Sequence, residues 1–346
     1  MDIPGLLAFS VKNRASDLHL STGLPPMLRI HGDMRRINLP ALQTDDLGNM
    51  LDAIMTPVQA ETWRRDLECD FAIDIAGLAR FRINAFHQSR GAAAVIRTIP
   101  QAIPTLAELG APPILSDLAL RRQGLILVTG PTGSGKSTTL AAMIRHINTH
   151  RPAHVLTIED PIEFVHTSDK SLINQRAVGA HTRSFANALR SALREDPDVI
   201  LVGELRDLDT IRLALTAAET GHLVLATLHT SSAAKSIDRI VDVFPGEEKE
   251  MVRSMLSESL SAVVSQVLLK TRAGDSRIAA HEIMLGTPAI RNLIREGKIA
   301  QMTSVMQTSA AAGMQTLDHC LAELLRKELI TPETARATAR NPDQFA

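Results

Sequence analysis

The chain contains no tyrosine, one tryptophan and eight phenylalanines, so aromatics make up 3% of its 346 residues. Single-stranded nucleic acid is ordinarily held by bases stacked on aromatic rings along a basic groove. Stacking platforms are scarce here, and a formal net charge of −1 supplies no overall attractive field. Both facts count against nucleic-acid binding, although a local basic patch stays compatible with them. Cysteine is nearly missing as well. Cys69 and Cys320 stand far apart without a C-x-x-C partner, which excludes a cysteine-rich zinc element and argues against a disulfide framework. No run of about 18 apolar residues occurs, so no membrane-spanning helix is expected. The N-terminus carries Asp2 and lacks the sustained apolar core of a signal peptide. The expectation is a reduced, cytoplasmic protein.

What is present has ordinary globular composition, 45% apolar and 22% charged, in a length sufficient for two domains. Residues 1–105 read as a small α+β domain and the start of a linker. An amphipathic opening (Ile3, Leu6, Leu7) leads to a hairpin turn at His31-Gly32-Asp33. In "FAIDIAGLARFRINAF", Phe81, Ile83 and Ala85 alternate with Arg80, Arg82 and Asn84, the pattern of a strand with one buried face. The next strand-like run ends at Arg97, and "PQAIPTLAELGAPP" has the Pro and Gly content of a linker.

Residues 106–346 have a different texture. Four short apolar runs, "LILV", "HVLTI", "VILV" and "LVLA", mostly alternate with helical patterns. Such runs form a largely parallel sheet covered on both faces, and ligands bind beyond its carboxyl ends. The last hundred residues read as amphipathic helices. One of them places Ile290, Leu293 and Ile294 on a single stripe, flanked by Arg291, Arg295 and Glu296.

The segment after the first run, "GPTGSGKST", comprises Gly130, Pro131, Thr132, Gly133, Ser134, Gly135, Lys136, Ser137 and Thr138. It fits G-x-x-x-x-G-K-[ST] between a strand and a helix, where backbone N–H groups wrap phosphate oxygens and the helix N-terminus adds positive potential. Lys136 is expected to neutralise the β- and γ-phosphates of ATP, and Ser137 to hold Mg²⁺. Acids stand at the next two strand ends: Glu159, Asp160 and Glu163 in "EDPIEF", and Glu204 in "GELRD". A P-loop enzyme needs an acid beside Mg²⁺ and a group that orients the attacking water.

The fourth run is bracketed by His222 and His229 in "ETGHLVLATLHT". About 3.3 Å per strand residue puts the two imidazoles more than 20 Å apart, too far for one metal ion. His229 falls on the P-loop edge of the sheet. His222, at the other end, either stabilises the sheet or meets a neighbouring subunit.

The sequence resembles the secretion ATPase superfamily, and within it the branch that retracts type IV pili. The resemblance covers nearly the whole chain and rests on "ASDLHLS", "ARFRINAF", "RGAAAVIRTIP", "GPTGSGKSTTLAAM", "TIEDPIEF", "SALREDPDVILVGE", "ETGHLVLATLHT", "GTPAIRNLIRE" and "GMQTLD". It implies a PAS-like α+β N-terminal domain, a RecA-like P-loop ATPase domain with a helical C-terminal region, and a homohexamer. It also implies Glu163 as general base, Glu204 at the Mg²⁺ and water, and His222 and His229 in the catalytic region. Arg82 and Arg97 are expected to approach ATP from the N-terminal domain, as arginine fingers do. The implied partners are an inner-membrane, PilC-like platform protein, the pilus base and a PilU-like paralogue, with the motor peripheral to the inner membrane. One departure is "NQRAVG", where Ala177 stands in place of an acid. The competing expectations are a PilU-like accessory motor, a nucleic-acid translocase and an ATP-binding module that does not turn over.

Overall fold

The computed structural model describes residues 2–30, 32–99 and 102–345. Residues 1–102 and 103–346 form two compact units.

In the first unit, six strands form one antiparallel sheet: β1 (Asp17–Ser21), β2 (Met27–Ile30), β3 (Asp33–Arg36), β4 (Glu68–Ile75), β5 (Ala79–Gln88) and β6 (Gly91–Ile99). Their order is β3-β2-β1-β6-β5-β4, a PAS-like arrangement. Ile30 pairs with Asp33 across the expected hairpin turn, of which His31 lies outside the described residues. The alternation read in β5 is realised: Phe81, Ile83 and Ala85 are fully buried. They pack with Leu6, Leu7 and Trp63 from the helices Ile3–Lys12 and Pro57–Asp66. Thr56 starts the second of these helices with a capping box, exchanging hydrogen bonds with Gln59.

The second unit holds β7 (Gly124–Thr129), β8 (His154–Glu159), β9 (Leu172–Ala177), β10 (Val199–Val202), β11 (Leu223–Leu228), β12 (Leu260–Lys270) and β13 (Arg277–Leu285). Their order is β13-β12-β7-β11-β10-β8-β9, all parallel except β13, a RecA-like sheet. The strands β7, β10 and β11 are buried along their whole length, which is why they read as unbroken apolar runs. Helices start where hydroxyl and carboxylate caps stand: Ser184, Asp207, Ser232 and Thr316 each accept a bond from the N–H three residues on.

Two readings of the sequence change. The last hundred residues are not all helical, because β12 and β13 form a nine-pair antiparallel ribbon there. Polar Ser261, Ser265 and Gln266 interrupt the apolar pattern of β12, yet all three are buried. The Pro- and Gly-rich stretch is also less linker-like than its composition suggests. Leu106 is buried in the core of the second unit, and Arg145 donates to the Ile103 carbonyl. Pro100 and Gln101 lie outside the described residues.

Cys69 and Cys320 are buried free thiols. Among the described residues, no helix is long and apolar enough to cross a membrane.

Candidate active site

The strand register assembles the site. Leu228 of β11 pairs with Thr129 of β7, so His229 and Gly130 leave the sheet together, and Gly130 N donates to the Leu228 carbonyl at 3.3 Å. Val202 of β10 pairs with Ala226 on one side and Ile158 on the other. Glu204, two residues past Val202, and Glu159, one past Ile158, therefore emerge at the same carboxyl edge. Further bonds fix the loops: Gly203 N donates to the Ile158 carbonyl at 2.8 Å, and Leu205 N to the Thr227 carbonyl at 3.1 Å.

Gly130 and Gly135 are needed for their backbones. Gly130 has φ of 144°, and a Cβ there would lie 2.2 Å from the Gln266 carbonyl oxygen. Gly135 caps the helix Lys136–His150 at φ of 87°, the left-handed region that glycine enters without strain. Pro131, Thr132 and Gly133 form an exposed crest, and Ser137 is exposed as well, whereas Ser134 and Lys136 are buried. Ser134 Oγ is buried with no hydrogen-bond partner among the described residues. An unsatisfied buried hydroxyl in a glycine-rich loop that opens a helix fits an anionic, oxygen-rich ligand such as the phosphates of ATP.

The Lys136 ammonium donates to the Gly130 carbonyl at 2.8 Å and the Pro131 carbonyl at 3.0 Å. Burial lowers its pKa from the usual lysine range, while the carboxylates of Glu204 and Glu163 pull it back up. These opposing effects place both acids within electrostatic reach of the ammonium.

Glu204 lies between an imidazole and a guanidinium. His229 Nε2 lies 3.2 Å from Oε1, and Arg206 Nε donates to Oε2 at 2.8 Å. Arg206 also reaches to 4.0 Å from Asp160. Glu159 points inward, accepting from Thr157 Oγ1 at 2.7 Å and Gln175 Nε2 at 3.2 Å. Its Oε2 takes the Glu163 N–H at 3.4 Å, which ties the two acids together. Burial raises its pKa above the usual carboxylate range. Ala177 pairs with Glu159 in the β8–β9 register, so an acid at 177 would stand beside an already buried carboxylate.

Among the described residues, no cluster of three or more histidines, cysteines or acids has metal-binding geometry. A Mg²⁺ ion bound with a nucleotide needs few protein ligands, and the residues that could hold it are Ser137, through its hydroxyl, and Glu204, both hard oxygen donors. When bound, the ion would supply positive charge to the phosphates.

The structure thus brings together Lys136, Glu163, Glu204 and His229 and leaves His222 out. His222 precedes β11 at the opposite end of the sheet, where its Nδ1 donates to the Ala217 carbonyl at 2.9 Å, closing the end of the helix Leu208–Glu219. Arg97 Nε holds the buried Asp17 carboxylate at 3.0 Å within the first unit. Arg82 lies on the polar face of β5, opposite Arg97 of β6. Sequence reasoning did not single out Arg206, Gln175 or Gln266. Arg206 had a signal, its position two residues after Glu204; the two glutamines had none.

The model of the type II/IV secretion system protein family matches residues 5–325. The type IV pilus retractation ATPase PilT of Pseudomonas aeruginosa is 62% identical over the full length of both chains. A twitching motility protein of Neisseria gonorrhoeae is also 62% identical, over 93% of this chain and 86% of its own. A crystal structure of the pilus retraction motor PilT with bound ADP superposes with a TM-score of 0.90 at 45% identity, covering 99% of this chain and 98% of that one. On the family match and these full-length likenesses, the chain belongs to the type II/IV secretion system protein family.

Proposed function

We propose that the chain is the ATPase motor of type IV pilus retraction: a homohexamer that hydrolyses ATP to withdraw pilin from the fibre and so drives twitching. The observation that carries this reading is the convergence of Lys136, Glu163, Glu204 and His229 at one sheet edge, in a chain 62% identical end to end to a retraction ATPase. Glu163 acts as general base toward the attacking water. Glu204 holds Mg²⁺ and orients that water, with His229 and Arg206 fixing its carboxylate. His229 senses the γ-phosphate, whereas His222, at the opposite end of the sheet, stabilises that end or meets a neighbouring subunit. The motor works at the inner membrane against a PilC-like platform protein and the pilus base, with a PilU-like paralogue as accessory.

Arg82 and Arg97 act in trans on the nucleotide of an adjacent subunit. Mixing Arg82→Ala subunits with Lys136→Ala subunits is then expected to recover part of the turnover that each lacks alone. Wild-type turnover in both Arg82→Ala and Arg97→Ala homohexamers would rule the role out.

Force transmission is assigned to the helix Pro288–Arg295. Ile290 and Ile294 are fully buried and Leu293 nearly so, as the stripe requires. Arg291 and Arg295 both reach Glu258, at 3.7 and 3.1 Å, on the partly exposed side. Arg291 Nε also donates to the Gly286 carbonyl at 2.9 Å and Arg295 to Ser257 Oγ at 3.3 Å. Exposed ion pairs are worth about 0–1 kcal/mol and a hydrogen bond about 1 kcal/mol, so the double alanine variant is expected to fold with modestly lower stability. The double variant is expected to keep ATPase activity and lose retraction in cells. Parallel loss of both activities would put the helix in the catalytic ring. Leu293→Ala with Ile294→Ala removes buried methyl groups instead, and should cost several kcal/mol in urea unfolding at roughly 2–5 kcal/mol per site.

A further inference from the structure

Gln266 is uncharged and lies far along the chain from the four segments that form the nucleotide site, yet it touches the P-loop at three places. It sits in β12 one residue past Ser265, which pairs with Thr129 at the end of β7. The residue is 2% exposed. Nε2 donates to the Ser134 carbonyl at 2.6 Å, and Oε1 accepts from the hydroxyl of Thr139 at 2.9 Å. The orientation of the amide is unambiguous. A carbonyl only accepts, so the nitrogen must face Ser134, and the oxygen is left for the hydroxyl. The Gln266 backbone oxygen borders Gly130, and its Nε2 would lie 3.1 Å from a Cβ at Gly135.

The Ser134 carbonyl belongs to the peptide unit that joins it to Gly135. In a planar trans peptide the C=O and the following N–H point in opposite directions. A donor that holds the Ser134 oxygen outward therefore holds the Gly135 N–H inward, toward the cradle. Without such a hold this peptide is prone to rotate, because the glycine that follows accepts either sign of φ. Thr139, itself buried on the first helical turn, keeps the amide from turning over. Loop, helix and β12 are joined through one side chain.

We propose that Gln266 is a positioning residue for the phosphates of the nucleotide: it locks the Ser134–Gly135 peptide with its N–H aimed at them, and Thr139 sets the lock. The inference rests on the reading of the P-loop as an ATP site. It concerns affinity first and turnover second, since a misaimed N–H weakens every phosphate-bound state.

The test measures the affinity of the purified hexamer for a fluorescent ADP analogue with Mg²⁺, beside its melting temperature without nucleotide. Gln266→Met, close in volume, is expected to bind about tenfold or more weakly, since one well-placed hydrogen bond is lost and one carbonyl is left unpaired. The melting temperature should fall by only a few degrees. Thr139→Val should lose affinity several-fold, and Thr139→Ser, which keeps the hydroxyl, should restore most of it. If Gln266→Met does not assemble, the two Thr139 variants decide. Wild-type affinity in Gln266→Met, or equal affinity in Thr139→Val and Thr139→Ser, overturns the proposal. Failure of the wild-type hexamer itself to bind the analogue would overturn the ATP-site reading instead, so the two failures are distinguishable.

Discussion

Lys136→Ala is expected to lose ATP hydrolysis by at least about 100-fold and to bind ATP roughly tenfold or more weakly. The ammonium is buried at the base of the loop, held by the Gly130 and Pro131 carbonyls at 2.8 and 3.0 Å. Charge placed in advance where negative charge accumulates contributes about 3–4 kcal/mol to phosphoryl and acyl transfer, and that benefit is lost with the ammonium. Alanine also deprives Glu204 and Glu163 of the cation that now lies within electrostatic reach of both. Phosphate release from the purified hexamer measures the first effect and equilibrium binding of ATP the second. Wild-type turnover in this variant would remove the P-loop from the mechanism.

Glu204→Gln separates binding from chemistry. The substitution keeps shape and removes charge, so ATP affinity should stay within a few-fold of wild type while turnover drops by about 100-fold or more. Stability should change little. Arg206, which holds one carboxylate oxygen at 2.8 Å, is 59% exposed and stays solvated when its partner is neutral. His229, 3.2 Å from the other oxygen, is 44% exposed. Binding lost with the fold intact would make Glu204 a structural residue that holds the loop, and the catalytic assignment would fail.

Much of this site was legible because its parts obey local rules. The P-loop announces itself through backbone demands that only glycine meets at Gly130 and Gly135. The strands β7, β8, β10 and β11 read as apolar runs because they are buried on both faces, and acids at their ends stand out against that background. The separation of His222 from His229 followed from strand rise alone. Strand β9, "LINQRA", was not legible: it is an edge strand with mixed exposure and no clear period. The pair β12–β13 was missed for a different reason. Its partner β7 lies more than a hundred residues away, and its buried Ser265 and Gln266 look like surface residues until that partner is known. The clamp of His229 and Arg206 on Glu204 depends on loop positions fixed by bonds such as that from Leu205 N to Thr227. No pattern along the chain encodes those.

The central claim is that ATP hydrolysis at this site powers pilus retraction. Time-lapse imaging of labelled pili tests it in cells that lack the chromosomal copy and carry either wild type or Glu204→Gln at equal abundance. The account predicts that wild type restores cycles of extension and shortening, while pili in the Glu204→Gln cells extend and do not shorten. Shortening at the wild-type rate in cells whose only copy has lost turnover would contradict it.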